Sequence, residues 1–485
     1  MTSLRIRLLS AVATLGMLSA CNGAATSTVP SAAQLSTRTV GPGQSASGGK
    51  IKHVILMIQE NRSFNDFFAT FPGATGATSG YYLKKTGNKY VKTAVALTEG
   101  GLPAPDINHD SHAYNVACDG REYVYPKTSC DMDGFNLEGI LGNNPAGLAP
   151  YQYASPASIA PYWTMAKTYG LADMLFQTQG SGSFTAHQDF VHGDTVYPNT
   201  ACGGTGPNCT LIDFPTDGEN WGCAAPPATT TQLLTFEGKY LVNAGPFPCL
   251  TYPNKTMPDL LDAAGVSWKY YTPPYKNHTN GALWNAMATL SPIYNGPDWK
   301  SDVSIPQSNI LKDIAGGTLP SMSWVIPTEA DSDHPHGPKA QYDGPEWIAS
   351  VVNAVGKSSY WDSTAIIVTW DDWGGFFDPV EPAHFDNQGG LGFRVPMLVI
   401  SPYVKKGTLS HTQYEFASIL RFVEDNFALG QMGTPSNPDR DASVTSIADM
   451  FKFTIRPRTF VEIPSSLNEA HFLHEPVTYA PVDRE

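Results

Sequence analysis

Four apolar runs punctuate the chain: "HVILMIQ" from His53, "MSWVIPT" from Met322, "TAIIVTWDD" from Thr364 and "VPMLVISPY" from Val395. Near-continuous apolar runs of this length read as strands buried on both faces, the pattern of parallel sheets. Around them the spacing changes to the helical period. Phe64, Phe67, Phe68 and Phe71 follow the first run, Ile348, Val351, Val352 and Val355 precede the third, and Phe416, Ile419, Leu420 and Val423 follow the fourth. Strands alternating with amphipathic helices predict an α/β sandwich, a central mostly parallel sheet with helices on both faces. Two stretches break the rhythm. Residues 74–160 are rich in Gly, Pro and Tyr, and residues 193–253 in Pro, Gly, Thr and Cys. Loops this long in a compact domain are functional or disordered. The cysteines in the second favour a disulfide-stapled, cap-like insertion beside a site over plain surface decoration.

Composition changes this picture mainly at the N-terminus. The chain has 485 residues, 41% of them hydrophobic, enough for a large core. A formal net charge of −14 argues against nucleic acid as a partner and against attraction to anionic membranes. The opening "MTSLRIRLLSAVATLGMLSAC" has Arg5 and Arg7 before a short apolar stretch, which reads as an export signal. "LSAC" resembles the lipobox of bacterial lipoproteins, in which Cys21 would carry lipid; the other reading is an ordinary cleaved signal with an incidental Cys. The expected organisation is a signal at 1–21, a Ser/Thr/Gly/Ala-rich tether at 22–50, one folded domain at 51–465 and a tail at 466–485. The expected location is periplasmic, cell-surface or secreted. Six cysteines remain: Cys118, Cys130, Cys202, Cys209, Cys223 and Cys249. An even number behind an export signal favours disulfides. Cys118 and Cys130 are the nearest pair, and the other four leave their connectivity open.

The candidate chemistry lies where strands end. The first run emerges into Glu60 and Asn61, and the third into Asp371 and Asp372 followed by Gly374-Gly375, which allow close backbone approach. In open α/β sheets, ligands bind beyond the carboxyl ends of the strands. If these acids converge, each close carboxylate pair repels by about 4 kcal/mol at 4 Å and an effective dielectric of 20. One would then protonate unless a cation is present. An oxygen-rich set suits Mg²⁺, Ca²⁺ or Mn²⁺ better than Zn²⁺. Histidines occur in three loops: His109 and His112 in "DINHDSH", His334 and His336 in "DSDHPHG", and His411 in "SHTQYEF". Each can serve as an acid, a phosphate-binding cation or a ligand. The turn "GSGSFTAH" offers Ser181, Ser183 and Thr185 as nucleophiles. It is not the Gly-x-Ser-x-Gly of a lipase elbow. Walker A, dinucleotide and His-Glu-x-x-His motifs are absent.

Together these segments resemble the phosphoesterase family of bacterial phospholipases C and metal-dependent acid phosphatases, within the alkaline phosphatase superfamily. "QENRSF" with "DDWGGFFD" carries most of the likeness, joined by "DMDGF", "LADMLFQ", "DHPHG", "GFRVPMLVISPYVKKG" and "HTQYEFASILRFVEDNF". The resemblance implies an alkaline-phosphatase-like sandwich and one divalent metal on Glu60, Asn61, Asp371, Asp372 and Ser183. It implies Ser183 as nucleophile and His109, His334, His336 and His411 around the phosphate. The implied reaction is hydrolysis of a phosphate ester through a phosphoserine, with His411 or His334 protonating the leaving group. Thr185 and Ala186 stand where the family often has Pro and Asn, and Asp372 where it often has Glu. The larger phospholipases carry C-terminal β domains for which this chain has no length, which favours the single-domain kind. Two rivals are a ligand-binding surface lipoprotein without turnover and a sulfatase-like hydrolase. The sulfatase motif Cys/Ser-x-Pro-x-Arg is missing near Ser183.

Overall fold

The computed structural model describes residues 45–476, apart from 120–128, 141–143, 199, 201–207, 214–221, 236–238, 275–282, 336–341, 384–389 and 436. The core is a nine-stranded sheet. In chain order its strands are β1 (His53–Gln59), β2 (Gly170–Phe176), β3 (Trp268–Tyr271), β4 (Val303–Ser304), β5 (Met322–Val325), β6 (Thr364–Trp370), β7 (Arg394–Ile400), β8 (Thr408–Ser410) and β9 (Tyr414–Glu415). Their spatial order is β4-β3-β5-β1-β6-β7-β2-β8, with β9 also on β2. The predicted mostly parallel sheet is present. β1 lies between β5 and β6, parallel to both, and all but one of its residues are buried.

One strand departs from the expectation. β7, expected to be parallel, runs antiparallel to both β6 and β2. A parallel return needs a crossover, usually a helix, and the described residues between Trp370 and Arg394 form none. Five strands escaped the apolar reading, β2, β3, β4, β8 and β9. β2 is broken by Asp173, and β3 is the short "WKYY".

The predicted helical faces are helices: α1 (Phe64–Phe68), α5 (Gly344–Lys357) and α6 (Phe416–Phe427), with α2 (Ala160–Thr168), α3 (Ser183–His192) and α4 (Asn309–Gly316) between them. Phe64, Phe67 and Phe68 bury on α1, whereas Phe71, expected on the same face, lies beyond the helix end and is half-buried; Ile348, Val351, Val352 and Val355 bury on α5, and Phe416, Ile419, Leu420 and Val423 on α6. Ser63 starts α1 by accepting from the Asp66 N–H at 3.0 Å. A buried clamp holds the segment after β6 to β7: Arg394 donates to both oxygens of Asp378, at 2.8 and 3.0 Å.

The first long insertion contains an antiparallel hairpin, Ser79–Thr86 with Lys89–Ala96, and a helix over Ser111–Asp119. Its Leu97, Tyr114, Phe135 and Tyr151 pack on Trp373, Phe377 and Phe393. It is therefore fixed directly against the segment that follows Asp371-Asp372. The second contains a separate four-stranded sheet. Cys118–Cys130 is a disulfide, as is Cys223–Cys249. Cys209 is also disulfide-bonded, and Cys202 lies outside the described residues. Among the described residues no helix is long and apolar enough to cross a membrane.

Candidate active site

β1 and β6 are neighbours in register, with Gln59 opposite Trp370. The residues that follow each strand must therefore emerge side by side. Glu60, Asn61, Asp371 and Asp372 are all fully buried there. The Asn61 N–H donates to Asp371 Oδ1 at 2.9 Å, and the Asp372 N–H to the same oxygen at 2.8 Å. Asn61 has φ 62°, a left-handed conformation uncommon outside glycine and concentrated at functional sites. Gly374, at φ 60°, lets the two strand ends touch: a Cβ there would lie 2.0 Å from the Asn61 carbonyl oxygen.

The N-terminus of α3 faces this pair of strand ends. Ser183 is its first residue, and its Oγ donates to Asp372 Oδ2 at 3.2 Å. The preceding Gly182 supplies no side-chain cap, and a helix N-terminus favours an anionic ligand. The alternative hydroxyls are placed differently. Thr185 donates to the Asp213 carbonyl at 3.3 Å. Ser181 is buried with no hydrogen-bond partner for its Oγ.

One turn along α3 stands a residue the sequence reading did not assign. His187 Nε2 lies 3.2 Å from Glu60 Oε1 and 3.8 Å from Asp371 Oδ2. Burial pushes its imidazole down to about 4, so it is neutral at ordinary pH, the state in which imidazole ligates metals. Glu60, His187 and Asp371 offer ligand atoms all within 4.8 Å of one another. Asn61 Oδ1 and Asp371 Oδ2 are buried without a hydrogen-bond partner. Such atoms are costly unless something else satisfies them. The donor set fits a divalent cation, with an imidazole added to the oxygen ligands. The i, i+4 relation of Ser183 and His187 across a helical segment was the signal available in the sequence.

The predicted histidines divide. His109 donates from Nδ1 to the Ile107 carbonyl at 2.7 Å, leaving Nε2 to accept from the Asn61 amide. Its Nε2 is 3.8 Å from Asp372 Oδ2. His334 is buried, its ring 6.2 Å from His109 and 5.8 Å from Trp284, which in turn flanks His187. The loop carrying His334 is clipped to the end of β1. Arg62 Nε donates to the Asp333 carbonyl at 2.8 Å, and the Asp333 N–H donates to Gln59 Oε1 at 3.0 Å. His411 sits elsewhere, on the sheet edge between β8 and β9, donating to Asp173 Oδ2 at 2.9 Å with more than half of its side chain exposed. No hydrogen bond or ion pair among the described residues joins it to Glu60, Ser183, Asp371 or Asp372. His112 is exposed, and His336 lies outside the described residues.

The profile of the phosphoesterase family matches residues 51–430, which include both strand ends and α3. The chain belongs to the phosphoesterase family. Similar members include a non-hemolytic phospholipase C of Pseudomonas aeruginosa, 26% identical over 91% of this chain and 63% of its own length. A second, from Burkholderia pseudomallei, is 28% identical over 90% of this chain and 62% of its own. Phospholipase C B of Mycobacterium tuberculosis is 26% identical over 87% of this chain and 80% of its own. The chain thus spans less than two thirds of the first two relatives. Among solved structures, a member of the alkaline phosphatase superfamily from Vibrio parahaemolyticus covers 82% of this chain and 72% of its own at 12% identity. Its TM-score of 0.35 is too low to carry an argument. Within this member of the family, "QENRSF" and "DDWGGFFD" serve two ends: Glu60, Asn61, Asp371 and Asp372 form the cluster, whereas Arg62 and Asp378 hold the surrounding segments in place.

Proposed function

We infer that the chain is a metal-dependent phosphoric ester hydrolase with Ser183 as its nucleophile. The observation that supports this best is the Ser183 hydroxyl on Asp372 Oδ2, at an uncapped helix N-terminus beside the Glu60–His187–Asp371 cluster. Glu60, His187 and Asp371 would hold the ion, with Asn61, Asp372 and Ser183 completing its surroundings. A divalent cation there would lower the pKa of the Ser183 hydroxyl and offset charge on a phosphoryl oxygen.

The remaining steps belong to the chain's own groups. Asp372 takes the proton from Ser183 Oγ, and the oxygen attacks phosphorus in line. The P–O bond to the alcohol breaks, and the first N–H groups of α3 stabilise the equatorial oxygens. His334 gives the departing alkoxide its proton. His334 takes the role rather than His411 because its ring borders those of His109 and Trp284, whereas His411 pairs with Asp173. Water then attacks the phosphoserine and gives a proton to His334, while the departing Ser183 oxygen regains the proton held by Asp372, releasing phosphate or a phosphomonoester and restoring the enzyme. Dividing one displacement into two lowers each barrier. Because relatives are phospholipases C, the substrate class includes phospholipid head groups as well as small monoesters.

Export belongs to the same reading. The leader at 1–21 and lipid on Cys21 agree with disulfides, which persist in oxidising compartments. The deciding experiment is acid quenching during turnover of a radiolabelled aryl phosphate or phosphatidylcholine, with and without chelator. Label on the peptide containing Ser183 supports the reading. Label on Ser181 or Thr185, or full turnover by metal-stripped protein, refutes it.

A further inference from the structure

The opposite end of α3 holds a second cluster that the proposed reaction does not use. His192 is the last residue of the helix. Its Nδ1 is 2.5 Å from the Asp194 carbonyl oxygen, 3.7 Å from Asp439 Oδ2 and 4.0 Å from Asp194 Oδ1. His192, Asp194 and Asp439 are buried, and each offers a ligand atom within 4.8 Å of the others. Two further carboxylates are within electrostatic range: Asp189 of Asp194, and Asp441 of both Asp194 and Asp439. Asp189 and Asp441 are fully buried, and none of their four carboxylate oxygens has a hydrogen-bond partner. The buried hydroxyl of Tyr252, whose ring stacks on His192 at 4.0 Å, has none either.

Four buried carboxylates lie together around the helix end, and Arg440 beside them attracts Asp189 and Asp194 and also pairs with Glu415 at 2.5 Å. Buried carboxylates in mutual reach must either take up protons or surround a cation. The location favours a cation, because the C-terminus of a helix carries partial negative charge. The backbone is also shaped around the acids. Gly193, at φ 87°, brings the helix end so close to Asp439 that a Cβ would lie 2.6 Å from Oδ1.

We propose that Asp194 and Asp439, with Asp189, Asp441 and the His192 ring beside them, bind a second divalent cation that fixes the C-terminal end of α3. An oxygen-rich donor set suits Mn²⁺ or Ca²⁺. The ion would lie at the end of α3 opposite Ser183. Its effect is structural, holding at its far end the helix that positions Ser183 and His187.

The test counts ions. Wild-type protein, Asp371→Asn, Asp439→Asn and Asp441→Asn are stripped with chelator, dialysed against Mn²⁺ and analysed for bound metal. Circular dichroism confirms that each is folded. Asp439→Asn and Asp441→Asn each hold one equivalent fewer than wild type. Mn²⁺ raises the melting temperature of Asp371→Asn, in which this cluster is intact. The loss at Asp439 is read against wild type, so it stands whether or not the ion near Glu60 exists. Wild-type Mn²⁺ content in both Asp439→Asn and Asp441→Asn overturns the proposal. So does an Asp371→Asn melting temperature that Mn²⁺ leaves unchanged, which also covers the case in which the other variants fail to fold.

Discussion

Helix α3 has a carboxylate cluster at each end. At the N-terminal end, Glu60, Asp371 and Asp372 arrive on two adjacent parallel strands, and Ser183 meets them. At the C-terminal end, Asp194 arrives on a loop, Asp439 and Asp441 at a short 3-10 turn over Arg440–Ala442, and the helix contributes Asp189 and His192. Both are buried, and both leave oxygens without hydrogen bonds. Only the first has a hydroxyl at a helix N-terminus, where an anion is welcome; the second sits where a cation is. One helix thus separates a position suited to chemistry from one suited to anchoring. Burial of acids alone would not have told them apart.

The largest expected effect concerns the hydroxyl. Ser183→Ala lowers turnover of an aryl phosphate by about 10³-fold or more while the fold and bound metal persist. Ser181→Ala leaves turnover within about twofold, because its Oγ meets no partner in the site. A Ser183→Ala enzyme of normal activity would erase the distinction between the two helix ends.

Next comes the residue that links hydroxyl and metal ligands. His187→Ala lowers metal affinity and turnover together by about 10- to 100-fold, read by metal titration alongside kinetics. His411→Ala, at the sheet edge, leaves both nearly unchanged. Equal losses for the two variants would mean that the imidazole on α3 has no special place in the cluster. Asp439→Asn gives a smaller loss of turnover than His187→Ala, and lowers the melting temperature by a few degrees. A larger loss than His187→Ala would put the chemistry at the wrong end of the helix.

The smallest effect is on pH dependence. Burial raises Asp333, which precedes His334, to about 7 from 3.8. Its Oδ2 accepts from the Tyr162 hydroxyl at 2.7 Å and from Trp370 Nε1 at 3.0 Å. Between about pH 4 and 7 the folded protein keeps a proton that the unfolded chain releases, so stability falls as pH rises through that window. Asp333→Asn makes this decline shallower, measured by urea unfolding at pH 4, 5.5 and 7. An unchanged slope would place the origin of the decline elsewhere, for example at Asp213, which burial also raises to about 7.

Much of the first cluster was legible because a strand is a ruler. Apolar runs beginning at His53 and Thr364 show where each strand leaves the core, and the polar residues that follow are Glu60-Asn61 and Asp371-Asp372. The helical faces of α1, α5 and α6 were legible for the same reason, since burial repeats at the helical period. His187 was marked only by its i, i+4 relation to Ser183, because its neighbours on α3 are buried as well and no polar face singles it out. His411 shares its residue type with His334, but the pairing of β8 and β9 with β2 places it beside Asp173.

The sequence by itself determined four strands of the central sheet and the helical faces of α1, α5 and α6, which acids stand at strand ends, and that Cys118 and Cys130 are close enough to join. These follow from local periodicity and short separations, which act before the chain has folded. Only the tertiary structure decided that β1 and β6 are neighbours, that β7 returns antiparallel, and that His187 rather than His411 meets Glu60. The same holds for the gathering of Asp194 and Asp439 around the end of α3. Each of these depends on contacts between segments far apart in the chain, chosen by packing of the whole sheet and its helices, and no local pattern encodes that choice.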